Sequence, residues 1–212
     1  MLITLINIIL PVLALALAGF LFARRLPNAP DMGFINHANV AIFCPALVFS
    51  AMLSNPLNLQ ADWPLLVGGT AIIVLPGLLL SLYRPAGIGK APYLVSGMFR
   101  NTGNVGIPLM LLAYGNDLLG DIVLLFVLSN LLHFSIGLFL LSGRDARWQW
   151  LRNPNVWAAV LGVLLASWQA QIPKFVHVTA ELLGQVAIPM MLFSLGVRLA
   201  HGRIAQMGLA LR

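Results

Sequence analysis

Charged residues are scarce in this chain, and their scarcity decides its class. Asp, Glu, Lys and Arg make up 8% of the 212 residues, whereas a soluble domain carries about 25%. Hydrophobic residues make up 60%, and the mean hydropathy is +0.93. Helices satisfy their own backbone hydrogen bonds in lipid. The composition therefore predicts an all-α protein that crosses a membrane several times.

Residues that build catalytic, redox or nucleotide sites are also few. The single cysteine, Cys44, has no partner for an internal disulfide, and the four histidines show no metal-ligand spacing. The sequence contains neither a phosphate-binding Gly-Lys-[Ser/Thr] loop nor a Gly-x-Ser-x-Gly turn. We therefore do not expect an enzyme, a bound metal or a cofactor.

The basic residues do not form the patch that nucleic acid would need. The chain has 12 Lys and Arg against 6 Asp and Glu. The cations lie in short loops between apolar stretches, as the positive-inside rule predicts for a membrane protein. We expect no nucleic-acid partner. The partners expected instead are the lipid bilayer and a small solute.

Seven apolar stretches are long enough to cross a bilayer, which takes about 20 residues. An eighth begins at Ile204. Numbered as spans 1 to 7 in chain order, the predicted spans are Leu2–Ala23, Gly33–Leu53, Trp63–Tyr83, the interrupted Pro92–Gly115, Leu118–Ser142, Pro154–Ile172 and Thr179–Ala200.

Positive charge alternates between the loops. A signal peptide carries its positive charge before the apolar stretch. Residues 1–23 contain no cation and Arg24 and Arg25 follow them, which argues against a signal peptide. Cations concentrate after spans 1, 3, 5 and 7, at Arg24, Arg25, Arg84, Lys90, Arg144, Arg147, Arg152, Arg198 and Arg203. This alternation predicts a multi-pass protein of the inner or plasma membrane with its N-terminus outside.

The stretch Pro92–Gly115 is apolar at both ends and polar in its middle. Between Arg100 and Pro108 it holds a cation, two amides, a hydroxyl, two glycines and a proline. Proline lacks an N–H and clashes with the carbonyl four residues earlier, so a regular helix is not expected to continue through it. Interrupted helices of this kind mark substrate sites in secondary transporters. We therefore predict the binding site in the middle of span 4.

A weak internal repeat relates spans 2 and 7. Span 2 reads Val-Ala-Ile-Phe-Cys-Pro-Ala-Leu-Val-Phe-Ser from Val40, and span 7 reads Val-Ala-Ile-Pro-Met-Met-Leu-Phe-Ser from Val186. The interval between them is an odd number of spans, so a repeated unit would be inverted in the membrane. The predicted division is a first five-helix repeat (1–143), a short cytoplasmic loop (144–153) and the start of an inverted second repeat (154–212).

The polar stretch Phe99–Leu109 resembles the signature of the auxin efflux carrier family, which includes plant PIN-type carriers and bacterial permeases annotated for malate or malonate. Two further stretches are similar, Asn153-Pro154-x-x-Trp157-Ala158 opening span 6 and Ala187–Gly196 in span 7. The resemblance covers essentially the whole chain. The short loop between spans 5 and 6 looks more like the bacterial members.

The resemblance implies ten helices in two inverted five-helix repeats, a fold similar to that of sodium–bile-acid symporters. In that fold helices 4 and 9 are broken and cross at mid-membrane. Helices 1, 2, 6 and 7 form a scaffold, and the others form a moving transport domain. Helix 9 is missing from these 212 residues, so the chain is expected to be shortened at its C-terminus. A homodimer through the scaffold helices is a further partner to consider.

Arg100 is the strongest single candidate for the chemistry. A charge near mid-membrane costs roughly 2.5–3.5 kcal/mol on insertion scales, so Arg100 either attracts an anionic substrate or snorkels to the cytoplasmic surface. Asn101, Thr102 and Asn104 are the predicted direct contacts, and their alternative role is to repair backbone hydrogen bonds at the break. The predicted site also includes three residues expected to shape the backbone, Gly103, Gly106 and Pro108.

Two polar residues of span 5 complete the candidate site. Asn130 and His133 lie three residues apart and share a helix face. They could line the pathway, with His133 carrying a proton. Interhelical hydrogen bonding is the alternative, as it is for Asn39 in span 2. Two prolines, Pro45 and Pro189, are predicted to bend scaffold spans 2 and 7.

Together these observations predict a secondary transporter of small organic anions, such as dicarboxylates or auxin-like acids, that works by alternating access. No Asp or Glu lies in the middle of a span, so the coupling ion stays open. Two alternatives remain. One is a non-transporting truncated carrier that acts as a membrane scaffold or assembly partner. The other is a sodium-coupled organic anion symporter of the same fold.

Overall fold

The computed structural model describes residues 2–26, 31–54, 59–83, 89–100, 102–142 and 149–201. Within these ranges every regular element is a helix and none is a strand, which confirms the all-α class. The long elements are α1 (Leu2–Arg25), α2 (Gly33–Ser54), α3 (Leu59–Ser81), α4 (Lys90–Met98), α5 (Ile107–Tyr114), α6 (Asn116–Leu141), α7 (Pro154–Ser167) and α8 (Lys174–His201).

Four of the described helices, α2, α3, α6 and α8, are long and apolar enough to cross a membrane. Helix α7 is equally apolar in character but has 14 residues, short of the roughly 20 that a full crossing takes. The part of the chain that the structure describes is thus a multi-pass membrane protein. The count of seven spans and the outside position of the N-terminus stay predictions.

Two helix ends differ from their predicted positions by five residues each. Span 6 was expected to reach Ile172, but α7 ends at Ser167. The residue Gln169 has φ of 51°, a left-handed conformation that stops the helix. Helix α8 begins at Lys174 instead of Thr179, because the carbonyl of Pro173 accepts the first N–H groups of the helix. Neither the left-handed backbone at Gln169 nor the hydrogen bonds to Pro173 can be read from the apolarity of the sequence. The eighth helix, predicted from Ile204, lies outside the described residues.

Helices α1 and α8 pack backbone against backbone through two glycines. A Cβ added to Gly19 would overlap the carbonyl group of Phe193, and one added to Gly196 would overlap the carbonyl group of Ala16. Lipid tails are as apolar as the helix surfaces, so close backbone approach takes the place of the hydrophobic effect in holding such helices together.

Glycines also bring α2 close to α7 and α8. A Cβ on Gly184 of α8 would lie 2.8 Å from the Cα of Leu47, and one on Gly162 of α7 would lie 2.9 Å from the Cβ of Met52. A buried core forms along this junction and extends to α5 and α6. It comprises Cys44, Leu47, Val48, Ala51, Met52, Ile107, Ile122, Val123, Phe126, Val127, Ala158, Ala159, Ala187 and Met191.

The strongest helix contacts form two groups, which also touch each other where α6 packs against α2 and α7. Helix α8 packs against α1 and α2, and α2 packs against α7, while α3 packs against α4 and α6. The first group contains the helices of spans 1, 2, 6 and 7, which the resemblance assigns to a scaffold. The boundaries of the repeats and their inverted relation stay predictions.

Candidate functional site

Three places in the described part of the chain contain a widened, π-helical turn. They are Asn39–Phe43 in α2, His133–Gly137 in α6, and Thr102–Gly106 directly before α5. In α2 the N–H of Cys44 bonds the carbonyl of Asn39, five residues earlier instead of four. Single π turns of this kind frequently occur at functional sites, because they redirect side chains that a regular helix would place elsewhere.

A proline follows two of these turns at the same distance. Pro45 stands two residues after the turn in α2, and Pro108 stands two residues after the turn that precedes α5. The ring of a proline clashes with the carbonyl four residues back and provides no N–H for it. A wider turn relieves this clash, so the prolines explain where two of the three π turns lie.

Side chains bonded to the backbone accompany the third turn, in α6. The amide of Asn130 donates to the carbonyl of Phe126 over 2.9 Å, and the hydroxyl of Ser135 donates to the carbonyl of Leu131 over 2.5 Å. Such bonds compete with the helix ladder and often bend it. One N–H of Asn130 is therefore engaged locally, and its second N–H and its Oδ1 are the groups able to meet a neighbour.

The regular helix of span 4 is interrupted directly before the predicted Arg100–Pro108 stretch and not across it. Helix α4 ends at Met98, and Phe99 has extended backbone with φ of −105° and ψ of 108°. The N–H of Thr102 then bonds the carbonyl of Arg100 over 2.8 Å, and the π turn begins. The break was expected across Arg100–Pro108. The structure shows instead that Thr102–Gly106 is helical and that the extended backbone precedes it.

The three π turns meet at one cavity of about 310 Å³. Small-molecule sites range over roughly 300–1,000 Å³, so this volume suits a small ligand. The break contributes Phe99 and Arg100, and the start of α7 contributes Asn153 and Asn155. The residues that line it from the π turns are Asn39, Val40, Thr102, Gly103, His133 and Phe134.

The ring of His133 is held between two aromatic rings. Phe99 lies edge-on to it at a centroid distance of 4.7 Å, and Phe134 at 5.3 Å. Gly137 leaves room for this arrangement, because a Cβ there would come 2.9 Å from the Phe99 ring and 3.4 Å from Nδ1 of His133. The broken backbone at Phe99 is thereby tied to the π turn of α6.

The charge balance of the cavity favours an anion. Arg100 carries a positive charge, and no Asp or Glu is among the described residues that line the cavity. Arg100 is exposed and has no ion-pair partner within the described chain. The hydroxyl of Thr102 donates to that of Ser129 over 3.5 Å, and both residues line the cavity, so the Ser129 hydroxyl retains its own proton for a further partner.

Asparagines provide the buried polar groups of the cavity wall. Asn39, Asn153 and Asn155 are 8, 5 and 5% exposed. Asn153 is the N-cap of α7, and its Oδ1 accepts from the N–H of Asn155 over 3.0 Å. Each of the three retains one side-chain atom with no hydrogen-bond partner among the described residues, namely Oδ1 of Asn39, Nδ2 of Asn153 and Oδ1 of Asn155.

Five of the predicted binding residues line this cavity, namely Arg100, Thr102, Gly103, Asn130 and His133. Gly106 and Pro108 do not line it. Pro108 is fully buried, which suits the shaping role expected of it. Asn101 lies outside the described residues, and so does the side chain of Asn104.

The two prolines predicted to bend the scaffold lie away from the cavity. Pro45 follows the π turn of α2 and lines a separate apolar groove between α2, α7 and α8. Pro189 lies on the exposed side of a helix that is regular from Lys174 to His201.

Asn155, Ser129 and Phe99 line the cavity but were not predicted as binding residues. Asn153 also lines it, and the sequence indicates it only as part of the motif that opens span 6. The available signal was the helix start itself, since Asn before Pro is a preferred N-cap and first-turn pair. That signal locates a helix end and does not reveal which other helices meet there.

Comparison with known proteins gives two matches. Residues 145–212 match the model of a membrane transport protein family. The chain is also 26% identical over 214 aligned residues to a protein of Rhizobium meliloti (strain 1021) named "Putative malonate transporter". Both matches are to transport proteins, in agreement with the carrier resemblance of the sequence motifs. The alignment covers 92% of this chain and 66% of the relative, so this chain spans about two thirds of the relative's length.

The family match lies in α7, α8 and the residues that follow. The polar stretch Phe99–Leu109 is outside it, although the longer alignment extends over most of the chain. Both matches point to a transporter and not to an enzyme.

Proposed function

We propose that this chain binds a small organic anion in the cavity at the three π turns, and that it carries the anion across the membrane by alternating access. The observation that carries this proposal is the one-sided charge of the cavity. Arg100 lines it together with the polar side chains of Thr102, Asn130 and His133, and no described carboxylate opposes the guanidinium. Such a site attracts a carboxylate and repels a free metal cation.

The substrate class follows from the volume and from the relative. A cavity of about 310 Å³ is at the small end of ligand sites. The relative's name specifies malonate, a three-carbon diacid. We propose short mono- and dicarboxylic acids as the substrates of this chain.

The cavity has a defined place along the membrane normal in this proposal. Asn39 is near the start of α2, Asn153 caps the start of α7, and His133 is in the second half of α6. The alternation of loop charge assigns these three helix ends to the cytoplasm. The cavity thus lies in the cytoplasmic half, and we propose that substrate enters and leaves the described conformation from that side.

Binding to the purified chain tests this function. The affinity for malonate and for propionate is measured by calorimetry in detergent or nanodiscs, with wild type compared to Arg100→Gln. We expect Arg100→Gln to weaken both ligands by about tenfold, the loss of one charge-assisted contact at an exposed position. The matched control is Arg198→Gln, because Arg198 is exposed on α8 and does not line the cavity.

Three results separate this proposal from its alternatives. Equal affinities in wild type and Arg100→Gln would remove Arg100 from the site. A chain that is folded yet binds no carboxylate would favour the scaffold or assembly role. Binding that requires sodium would favour a sodium-coupled symporter of the same fold. The homodimer through scaffold helices stays a prediction, testable by native mass spectrometry.

A further inference from the structure

A second space adjoins the cavity and is here called the side chamber. It has a volume of about 360 Å³. Three of the residues that line it, Val40, Phe134 and Asn153, also line the cavity, so the two spaces meet at these residues. Its other lining residues are Arg152 and Pro154.

The side chamber contains a cation and no opposing charge. Arg152 lines it, and no Asp or Glu is among the described residues that do. The Arg152 side chain is exposed, and within the described chain it has no ion-pair partner. Arg152 also borders the apolar groove between α2, α7 and α8. An arginine can lay its aliphatic stem along apolar surface and keep its guanidinium in a polar space, so this guanidinium is available to an anion in the side chamber.

The motif that opens span 6 holds the backbone on both sides of Arg152. Before it, the indole N–H of Trp157 donates to the carbonyl of Leu151 over 2.6 Å. After it, the side chain of Asn153 accepts from the N–H of Asn155 over 3.0 Å and caps α7. The asparagine and the tryptophan of the motif thus fix the place from which Arg152 extends. Spanning the membrane does not require either bond.

We propose that Arg152 is a specificity-determining residue, which attracts the second carboxylate of a diacid whose first carboxylate faces Arg100. This inference rests on the proposed function, because it assumes that the cavity takes an organic anion. Two cations in adjoining spaces suit a ligand with negative charge at both ends. A monocarboxylic acid uses Arg100 alone, so the site prefers a diacid to the monoacid of equal carbon number. Trp157 is a positioning residue that acts through Arg152.

Two matched pairs of acids test this preference. Malonate is compared with propionate, and succinate with butyrate, so that the longer pair allows for the separation of the two guanidinium groups. Affinities are measured by calorimetry on the purified chain at about pH 8, where carboxyl groups are ionised. Nanodiscs of zwitterionic lipid keep anionic headgroups away from Arg152. We expect wild type to bind at least one diacid about fivefold more tightly than its monoacid, the upper end for an exposed ion pair.

Arg152→Gln is the informative variant. It should bring the ratio of diacid to monoacid affinity down toward one and leave both monoacids unchanged, because they do not reach the side chamber. Arg152→Lys keeps the charge and should retain most of the ratio. The control is Arg198→Gln, since Arg198 is exposed on α8 and lines neither space. Raising the ionic strength from about 0.01 M to about 1 M should reduce the wild-type ratio, because salt screens exposed charges.

Trp157→Phe tests the positioning role. It keeps an aromatic ring and removes the N–H that holds the carbonyl of Leu151. The affinity ratio should then lie between those of wild type and Arg152→Gln, with monoacid binding unchanged. A ratio equal to that of wild type would overturn the positioning role of Trp157.

The remaining outcomes are distinct. The same ratio in wild type and Arg152→Gln for both pairs would overturn the role of Arg152, while the anion site at Arg100 stands. Equal loss of diacid and monoacid in Arg152→Gln would also overturn it, since a residue that only shapes the cavity weakens both. Failure of all four acids to bind wild type would refute the proposed function, and the selectivity with it.

Discussion

The closest packing in the described chain is at Gly196, and its replacement by alanine should loosen the pair of α1 and α8. A Cβ at this position would overlap the carbonyl oxygen of Ala16 and lie 2.7 Å from its carbonyl carbon and 2.9 Å from the nitrogen of Phe20. These atoms are backbone, so no side chain can rotate away. The two helices would have to move apart.

The expected cost combines two opposing terms. Replacing glycine by alanine inside a helix stabilises the folded protein by about 1 kcal/mol, because alanine has the higher helix propensity. Overpacking in a tight interface costs about 1–3 kcal/mol, and a clash with backbone atoms belongs at the upper end. We therefore expect Gly196→Ala to be destabilised by about 1–2 kcal/mol in total.

Gly68→Ala provides the matched control. Gly68 lies inside α3, and a Cβ there would have no atom within 4 Å. This variant gains the propensity term alone and should be as stable as wild type or more stable. Thermal unfolding in detergent, followed by tryptophan fluorescence and size-exclusion chromatography, measures both. If Gly196→Ala melts at or above the wild-type temperature, or if the two variants shift in the same direction, the packing argument is wrong.

Three further predictions concern the cavity. Asn155→Leu should raise the melting temperature of the ligand-free protein, because an unpaired buried polar atom costs about 1–3 kcal/mol; a lower melting temperature would show that Asn155 is paired. Gly137→Ala should weaken propionate binding in calorimetry, since its Cβ would push Phe99 from the His133 ring, and unchanged affinity would separate that contact from binding. Cys44, the single cysteine, is 3% exposed and should react slowly with N-ethylmaleimide until detergent denaturation; rapid native labelling would contradict its burial.

Much of the fold could be predicted from the sequence, because lipid restricts what a chain can do. Scarce charge and long apolar stretches leave the helix as the spanning element, and α2 begins at Gly33 as predicted. The polar middle of span 4 stood out against apolar flanks, which predicted Arg100 and Thr102 as site residues. Asn130 and His133 were predicted as polar residues inside an apolar span, and their spacing of three put them on one helix face. The structure places all four at one cavity.

The remainder of the site depended on tertiary structure. Asn39 is seven residues into α2 and Asn155 is in the first turn of α7, more than one hundred residues away in the chain. No local pattern relates them. They line one cavity because α2 and α7 pack side by side. Further along the same pair Gly162 allows the helices to approach closely, and the sequence shows a small residue there without showing its partner.

The sequence by itself determined that this protein is helical, that it lies in a membrane, and where the polar stretch of span 4 falls. These properties follow from the composition of contiguous stretches. The tertiary structure decided which side chains share the cavity. Each π turn adds one residue and rotates the following side chains by about 100°, so the face that a periodic pattern assigns no longer holds beyond it. Three such turns and the glycine contacts between helices together set the cavity wall, and these depend on packing between distant parts of the chain.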